Sequence, residues 1–307
     1  MALQQVLARY PNTVSVLGHE WLIGEQSWAV AFIEDRVAWY GQLEVDLSAL
    51  LCAGIPLPRL VQCYRDSLRN RTEVLKAIYE IHAGALLAAC SQRVEIHVSR
   101  GDGSNRNYDI GVEIEGTYIS VECKTRKDEF PFNMPAQVAE DGSEMYGGSR
   151  GTLDPHDAAT MGFTTAPNQD PSHKATPEST VVRQILSTAL GQLPPQGFSM
   201  VVFGQIEGNL HHLEDALFGT EYVELRRNLE TGQTTSHWLR APNGAFNAAD
   251  GAFDSISSAL WVRLSSDGDV LRKTYRGFLN PRARNPLPEV VVARLRALVQ
   301  ERGTGAP

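Results

Sequence analysis

Apolar and polar residues alternate on both sides of a short turn near residue 115. The apolar positions are Ile110, Val112 and Ile114 before the turn, and Ile119, Val121 and Cys123 after it. Alternation with period two is typical of a strand that packs one face on a core. Glu115-Gly116 between the two runs suits a two-residue hairpin loop. The sequence therefore predicts a β-hairpin in which facing residues have numbers that sum to 231.

The polar positions of this hairpin carry two carboxylates and an ammonium. In the predicted register Asp109 faces Glu122, and Lys124 follows two residues later on the same face. Gly111 and Ser120 stand between the charges and, because they are small, are expected to leave space for a ligand. The same residues also fit a plainer interpretation, in which they form the salt-bridged polar face of a half-exposed hairpin.

The remaining periodicity predicts an α/β chain. Helical spacing extends over residues 57–90, with an apolar stripe at Val74, Ile78, Ile81, Ala85 and Ala88. Further helices are predicted at 179–193, with Pro194 after its end, and at 289–301, and strands at 93–100, 198–206, 221–229 and 259–266. Residues 1–56 are predicted to form mixed strands and turns, and residues 128–177 to form a long loop that borders the hairpin's charged end and is mobile without substrate.

Composition and charge limit the binding partners and the cellular compartment that the sequence allows. The 307 residues carry a net charge of −8, with nine Lys/Arg against four Asp/Glu in residues 263–307, so this tail is +5 and the rest is −13. An acidic chain with locally basic segments is not expected to bind nucleic acid non-specifically over its whole surface. The same charge distribution still permits a basic groove that binds the phosphates of a nucleic-acid backbone. No apolar run is long enough for a membrane span, no signal peptide is evident and the four cysteines are scattered, so a cytoplasmic protein with free thiols is expected.

The charged residues of the hairpin match a known motif. Asp109, twelve intervening residues and then Glu122-Cys123-Lys124 resemble the defining motif of the PD-(D/E)XK nuclease superfamily. Tyr108 stands where the name of the motif has proline, a departure that many members share. Glu80 matches the glutamate often found on the first core helix of that superfamily, and the helix that carries Gln184 resembles the one after its active-site hairpin.

The resemblance implies a fold and a domain organisation. It implies a restriction-endonuclease-like core, a central mixed β-sheet flanked by helices, over residues 66–206 of a nuclease domain that spans residues 66–307. Residues 1–65 are then an N-terminal elaboration of mixed strands and helix. The resemblance also implies a Mg²⁺-dependent phosphodiesterase, an endo- or exodeoxyribonuclease. DNA is a more natural substrate than RNA, and restriction or defence against foreign DNA is a more natural role than repair. The sequence leaves open whether the protein forms a homodimer or binds a partner subunit.

The chemistry of the residues agrees with that activity. Hydrolysis of a phosphodiester needs charge neutralisation and an activated water, which Mg²⁺ or Mn²⁺ can supply when held by oxygen ligands. Asp109, Glu122, Glu80 and the Cys123 carbonyl are the expected metal ligands, and Lys124 the residue that orients water or stabilises the transition state. Contact with nucleic acid is expected from Arg126, Lys127 and Gln184. The alternative function is a catalytically inactive nuclease-like module that binds nucleic acid or a protein partner.

Overall fold

A six-stranded mixed β-sheet with helices on both faces forms the centre of the protein. The computed structural model describes residues 7–23, 37–70, 72–101, 103, 106–125, 137–138, 144–145, 178–204, 210–227, 234–241, 243–267 and 270–303. The predicted α/β class, a central mixed sheet flanked by helices, is confirmed.

The helices and strands follow one another with few breaks in the described ranges. The helices are α1 (Pro11–Leu17), α2 (His19–Ile23), α3 (Val37–Cys52), α4 (Leu57–Arg69), α5 (Val74–Ala88), α6 (Glu178–Leu190), α7 (Leu210–Phe218) and α8 (Glu289–Gly303), with a 3-10 turn at Ala245–Asn247. The strands are β1 (Arg93–Ser99), β2 (Asn107–Ile114), β3 (Thr117–Thr125), β4 (Gln137–Val138), β5 (Glu144–Met145), β6 (Phe198–Gly204), β7 (Glu221–Arg227), β8 (Thr234–Arg240), β9 (Ser258–Asp267) and β10 (Val270–Leu279).

The central sheet has the order β1-β2-β3-β6-β9-β10. Strand β6 runs parallel to both β3 and β9, and the other neighbours are antiparallel. Strands β4 and β5 pair with each other, as do β7 and β8, in two small separate sheets. Because β3 and β6 are parallel, their carboxyl ends lie at the same edge of the sheet, where ligands commonly bind in α/β folds.

The predicted hairpin is confirmed in its register. Residues pair from Ile114 with Thr117 through to Ile110 with Val121, so every pair sums to 231. Both loop residues have positive φ, 50° at Glu115 and 70° at Gly116. This is the backbone of the tight turns that match the twist of two antiparallel strands, and glycine adopts it at little cost.

Residues 1–56 were predicted to form mixed strands and turns, and this prediction is wrong for their described part, which is helical. In α3 the buried Leu43, Leu47 and Leu50 recur at helical spacing of four and three residues. The β-prone residues around Trp39 mask this period in the sequence, because burial against the core outweighs local propensity. Leu47 and Leu50 belong to the same buried cluster as Ile110 of the hairpin, whereas a domain boundary after residue 65 stays a prediction.

Helix α5 is more extensively buried than the single apolar stripe predicted for it would imply. Nearly all of its residues are buried, among them Glu80 and His82. It packs on β1, β2 and β3 on one side and on α3 and α4 on the other, so both faces are covered. A charged side chain on this helix is therefore carried into the interior, beside the hairpin.

Two groups of predicted residues fall outside the described part of the chain. Arg126 and Lys127 are among them, and so is the predicted long loop at 128–177 apart from the four residues of β4 and β5. In the part that the structure describes, no helix is both long and apolar enough to cross a membrane. All four cysteines are described, and each is a free thiol.

Candidate active site

The carboxylates of Asp109 and Glu122 are buried where the hairpin meets the carboxyl edge of the sheet. Asp109 is 6% exposed and Glu122 is 0% exposed. The backbone N–H of Cys123 donates a hydrogen bond of 2.7 Å to Oδ2 of Asp109, which ties β2 to β3 beyond the last ladder pair. The hairpin therefore brings the two predicted acids to one place, as its register indicated.

A third carboxylate comes from the helix side. Glu80 of α5 is 3% exposed, and Nζ of Lys76, one helical turn earlier, lies 3.3 Å from its Oε1. Burial lowers the pKa of Lys76, but the negative charges of Glu80, Asp109 and Glu122 outweigh it and raise this pKa overall. Lys76 is thus a counterion for the three acids, a role that its sequence position four residues before Glu80 could have suggested.

Burial and mutual repulsion perturb the acids of the hairpin. The pKa of Asp109 is well above its usual range, first because of burial and then because of the charges of Glu80 and Glu122. The pKa of Glu122 is also raised by burial, although the neighbouring Lys124 opposes this rise. Carboxyl groups with raised pKa values in one buried cluster are characteristic of functional sites, because a protein gains no stability from such crowding.

Lys124 lies on the same face as Glu122, as predicted. Its Nζ is 2.5 Å from Oε1 of Glu122 and also contacts Oε1 of Gln192, just after the end of α6. The predicted nucleic-acid contact Gln184 is exposed on α6. Gln192 was missed because it follows the helical period, in a turn whose position only the folded chain defines.

Polar atoms without a hydrogen-bond partner collect around these acids. They are Oε1 of Glu80, Oε2 of Glu122, the hydroxyl of Tyr64 and Nε2 of His97, all buried. His97 belongs to the cluster because its Nε2 lies 3.6 Å from Oε2 of Glu80, and Tyr64 because the charges of Glu80 and Asp109 raise its pKa after burial does. Buried polar atoms are nearly always satisfied by protein or by ordered water, so their accumulation makes this cluster a candidate binding site for a polar ligand.

The donor set suits a hard divalent cation. The cluster combines three carboxyl groups with the ammonium groups of Lys124 and the partly exposed Lys76, and Oε2 of Glu122 has no donor. Mg²⁺ and Mn²⁺ take oxygen ligands of this kind. Within the described residues, however, no three His, Cys, Asp or Glu side chains are arranged so that they would hold a metal ion together.

One expectation about the hairpin is wrong. Gly111 does not leave space for a ligand, because the ring of Tyr118 lies across it and a Cβ at this position would be 2.0 Å from the tyrosine oxygen. Tyr118 in turn hydrogen-bonds with Tyr108 and donates to Glu95. The missing side chain at Gly111 thus accommodates a residue of the neighbouring strand.

Comparison of the chain with models of protein families, with curated proteins and with solved structures gives no match. The geometry and chemistry of the cluster around Asp109 and Glu122 therefore carry the functional argument.

Proposed function

We propose that this protein is a metal-dependent nuclease that hydrolyses phosphodiester bonds, with a site similar to that of the PD-(D/E)XK superfamily. The observation that carries the proposal is the convergence of Asp109, Glu122, Lys124 and Glu80 in one buried cluster, with an unpartnered oxygen on Glu122. A half-exposed hairpin with a salt-bridged polar face does not account for this cluster, because its acids are buried and repel one another.

Each residue of the cluster has a definite part in such a reaction. Asp109, Glu122, Glu80 and the carbonyl of Cys123 would hold Mg²⁺ or Mn²⁺. A bound ion would neutralise the phosphate and lower the pKa of an attacking water. Lys124 would keep that water in line or stabilise the charge that develops on the phosphate, and Gln192 would hold the Lys124 ammonium in place.

The substrate class rests on the resemblance rather than on a contact. DNA is proposed ahead of RNA because most catalytic members of the superfamily cut DNA, and a role in restriction or defence follows the same analogy. Arg126 and Lys127 directly follow the strand that carries Lys124, so phosphates approaching the site would meet them. Gln184 is exposed on α6, and its contact with nucleic acid stays part of the proposal.

The experiment is a cleavage assay with matched variants. Circular DNA, linear DNA and RNA are incubated with the protein in Mg²⁺, in Mn²⁺ and in EDTA. We expect cleavage that depends on the metal and is abolished in Asp109→Asn, while Asp66→Asn, a change on the exposed face of α4, keeps the activity. Absence of cleavage of every substrate in both metals would contradict the proposal.

One observation favours the inactive nuclease-like module as the second candidate. Lys76 and Lys124 already contact the acids, so the described residues can balance most of their charge without a metal. Calorimetric titration with Mg²⁺ and Mn²⁺ separates the two functions. Binding that is lost in Asp109→Asn supports the nuclease, and a protein that takes up neither ion supports the module.

A further inference from the structure

His97 has a backbone conformation that is rare outside glycine. Its φ is +47° in the middle of β1, and the ladder between β1 and β2 pairs Ile96 with Ile110 and Val98 with Tyr108 but omits His97. Residues in the left-handed region are strained unless the surrounding structure fixes them, and such positions concentrate at functional sites. The omitted position lies opposite Asp109, since the residue numbers of the two flanking pairs each sum to 206.

Residues of α4 stabilise the unusual backbone conformation of His97, a kink in β1. The guanidinium of Arg59 donates to the carbonyl of Ile96 at 3.0 Å and to that of His97 at 2.9 Å. The imidazole of His97 packs edge-on against Tyr64, with ring centroids 5.2 Å apart and planes at 87°. These contacts turn the imidazole towards α5, although strict alternation after the buried Ile96 would send it to the opposite face of the sheet.

The turned imidazole presents a nitrogen to the acid cluster. Nε2 of His97 is buried without a hydrogen-bond partner and lies 3.6 Å from Oε2 of Glu80. Two ligands about 2.1 Å from one ion are about 3.0 Å apart at a right angle and wider apart at larger angles, so this separation suits a shared metal. Glu122, which is fully buried, also has an oxygen without a hydrogen-bond partner.

We propose that His97 is a nitrogen ligand of the metal in this cluster, shared with Glu80, and that it makes the site select Mn²⁺ over Mg²⁺. Imidazole nitrogen binds transition metals well, whereas Mg²⁺ favours ligands that are all oxygen. The proposal rests on the proposed metal-dependent function, and it adds a residue and a metal preference that the motif Asp109, Glu122-x-Lys124 does not contain.

The test measures metal binding by the full chain, freed of metal with EDTA. Calorimetry with MnCl₂ and with MgCl₂ compares wild type, His97→Gly and His97→Asn, with His237→Ala on the exposed strand β8 as the control. Glycine accepts positive φ, so His97→Gly removes the imidazole without disturbing the kink, and its melting temperature shows whether it folds. A second readout is the electron spin echo modulation of bound Mn²⁺, which detects a nitrogen ligand.

The expected result is a wild type that binds Mn²⁺ at least about tenfold more tightly than Mg²⁺. His97→Gly should lose roughly tenfold or more in Mn²⁺ affinity, keep its Mg²⁺ affinity within about threefold and show no nitrogen modulation. Unchanged Mn²⁺ affinity in His97→Gly, or equal loss for both ions, would overturn the role of His97 while the nuclease stands. Failure of wild type to bind either ion would overturn the proposed function and this inference together.

Discussion

Nζ of Lys124 lies 2.5 Å from Oε1 of Glu122, while the second oxygen of that carboxylate is buried without a hydrogen-bond partner. One oxygen of Glu122 is thus engaged by a cation of the protein itself, and the carboxylate interacts electrostatically with Asp109 and Glu80. In the proposed nuclease, Glu122 would bind the metal through its free oxygen and keep Lys124 beside the phosphate through the other.

Lys124→Ala should separate catalysis from binding. The variant keeps all three acids and loses one positive charge among them, so its metal affinity should equal or exceed that of wild type, since a nearby cation opposes cation binding. Cleavage should fall by about 10²–10³, the usual cost of losing one preorganised charge contact in a transition state. Metal titration and cleavage rates are measured together, with Lys273→Ala, whose ammonium contacts Gln42 away from the site, as the control.

The acid variants should behave differently. Asp109→Ala and Glu122→Ala each remove a proposed metal ligand, so both should lose metal binding and activity together. Cleavage by Lys124→Ala at the wild-type rate would show that this lysine is structural, and the proposed mechanism would then be wrong.

The raised pKa of Asp109 predicts a stability that depends on pH. Burial and the charges of Glu80 and Glu122 raise this pKa in the folded state above its unfolded value of about 3.9. Between these two values the folded protein binds more protons than the unfolded chain, so the free energy of unfolding falls as pH rises. The contribution is fully present below the unfolded pKa and is lost as pH passes the folded one.

Asp109→Asn removes this dependence and can still accept the hydrogen bond from Cys123. In EDTA the variant should therefore be more stable than wild type at pH 8, by roughly 1.4 kcal/mol for each unit by which the folded pKa is raised. The difference should shrink towards pH 4. Urea denaturation at several pH values measures it, and a variant that is less stable than wild type at pH 8 would contradict the repulsion among the acids.

The sequence predicts those parts of the site that depend on short patterns of neighbouring residues along the chain. Alternation and the Glu115-Gly116 turn determine the hairpin register, and this register brings Asp109 and Glu122 together. Lys76 was within reach of the same reasoning, because four residues separate it from Glu80 on a predicted helix.

Other parts of the site depend on the folded chain. The imidazole of His97 reaches the acids only because φ is positive, a backbone choice enforced by Arg59 from a different helix. Gln192 reaches Lys124 from a turn, where no period indicates a direction. The described N-terminal part was mispredicted because its aromatic and β-branched residues favour strands locally, whereas burial against the sheet selects helices.

Gly111→Ala should destabilise the hairpin. The added Cβ would be 2.0 Å from the oxygen of Tyr118, so the tyrosine must move and give up its bonds to Tyr108 and Glu95. We expect a loss of about 1–3 kcal/mol, the usual range for overpacking, seen as a lower urea midpoint. Gly277→Ala on β10 is the matched control, because its Cβ would meet nothing within 4 Å. In a Tyr118→Ala background the Gly111→Ala cost should largely disappear, and a cost that persists would point to the backbone instead.

Lys76→Met tests whether this lysine is the counterion that a metal must displace. Methionine keeps most of the apolar length of the side chain but removes the charge that lies 3.3 Å from Glu80. Without metal, the three acids then repel one another with less compensation, so the melting temperature in EDTA should fall. With the competing cation gone, Mn²⁺ should bind about threefold to tenfold more tightly, a modest gain because the Lys76 side chain is 43% exposed and partly screened.

Saturating Mn²⁺ should accordingly raise the melting temperature of Lys76→Met by more than that of wild type, since a ligand stabilises the folded state in proportion to the logarithm of its affinity. Lys273→Met should change neither quantity through the site. Weaker Mn²⁺ binding in Lys76→Met than in wild type would show instead that Lys76 helps to build the metal site.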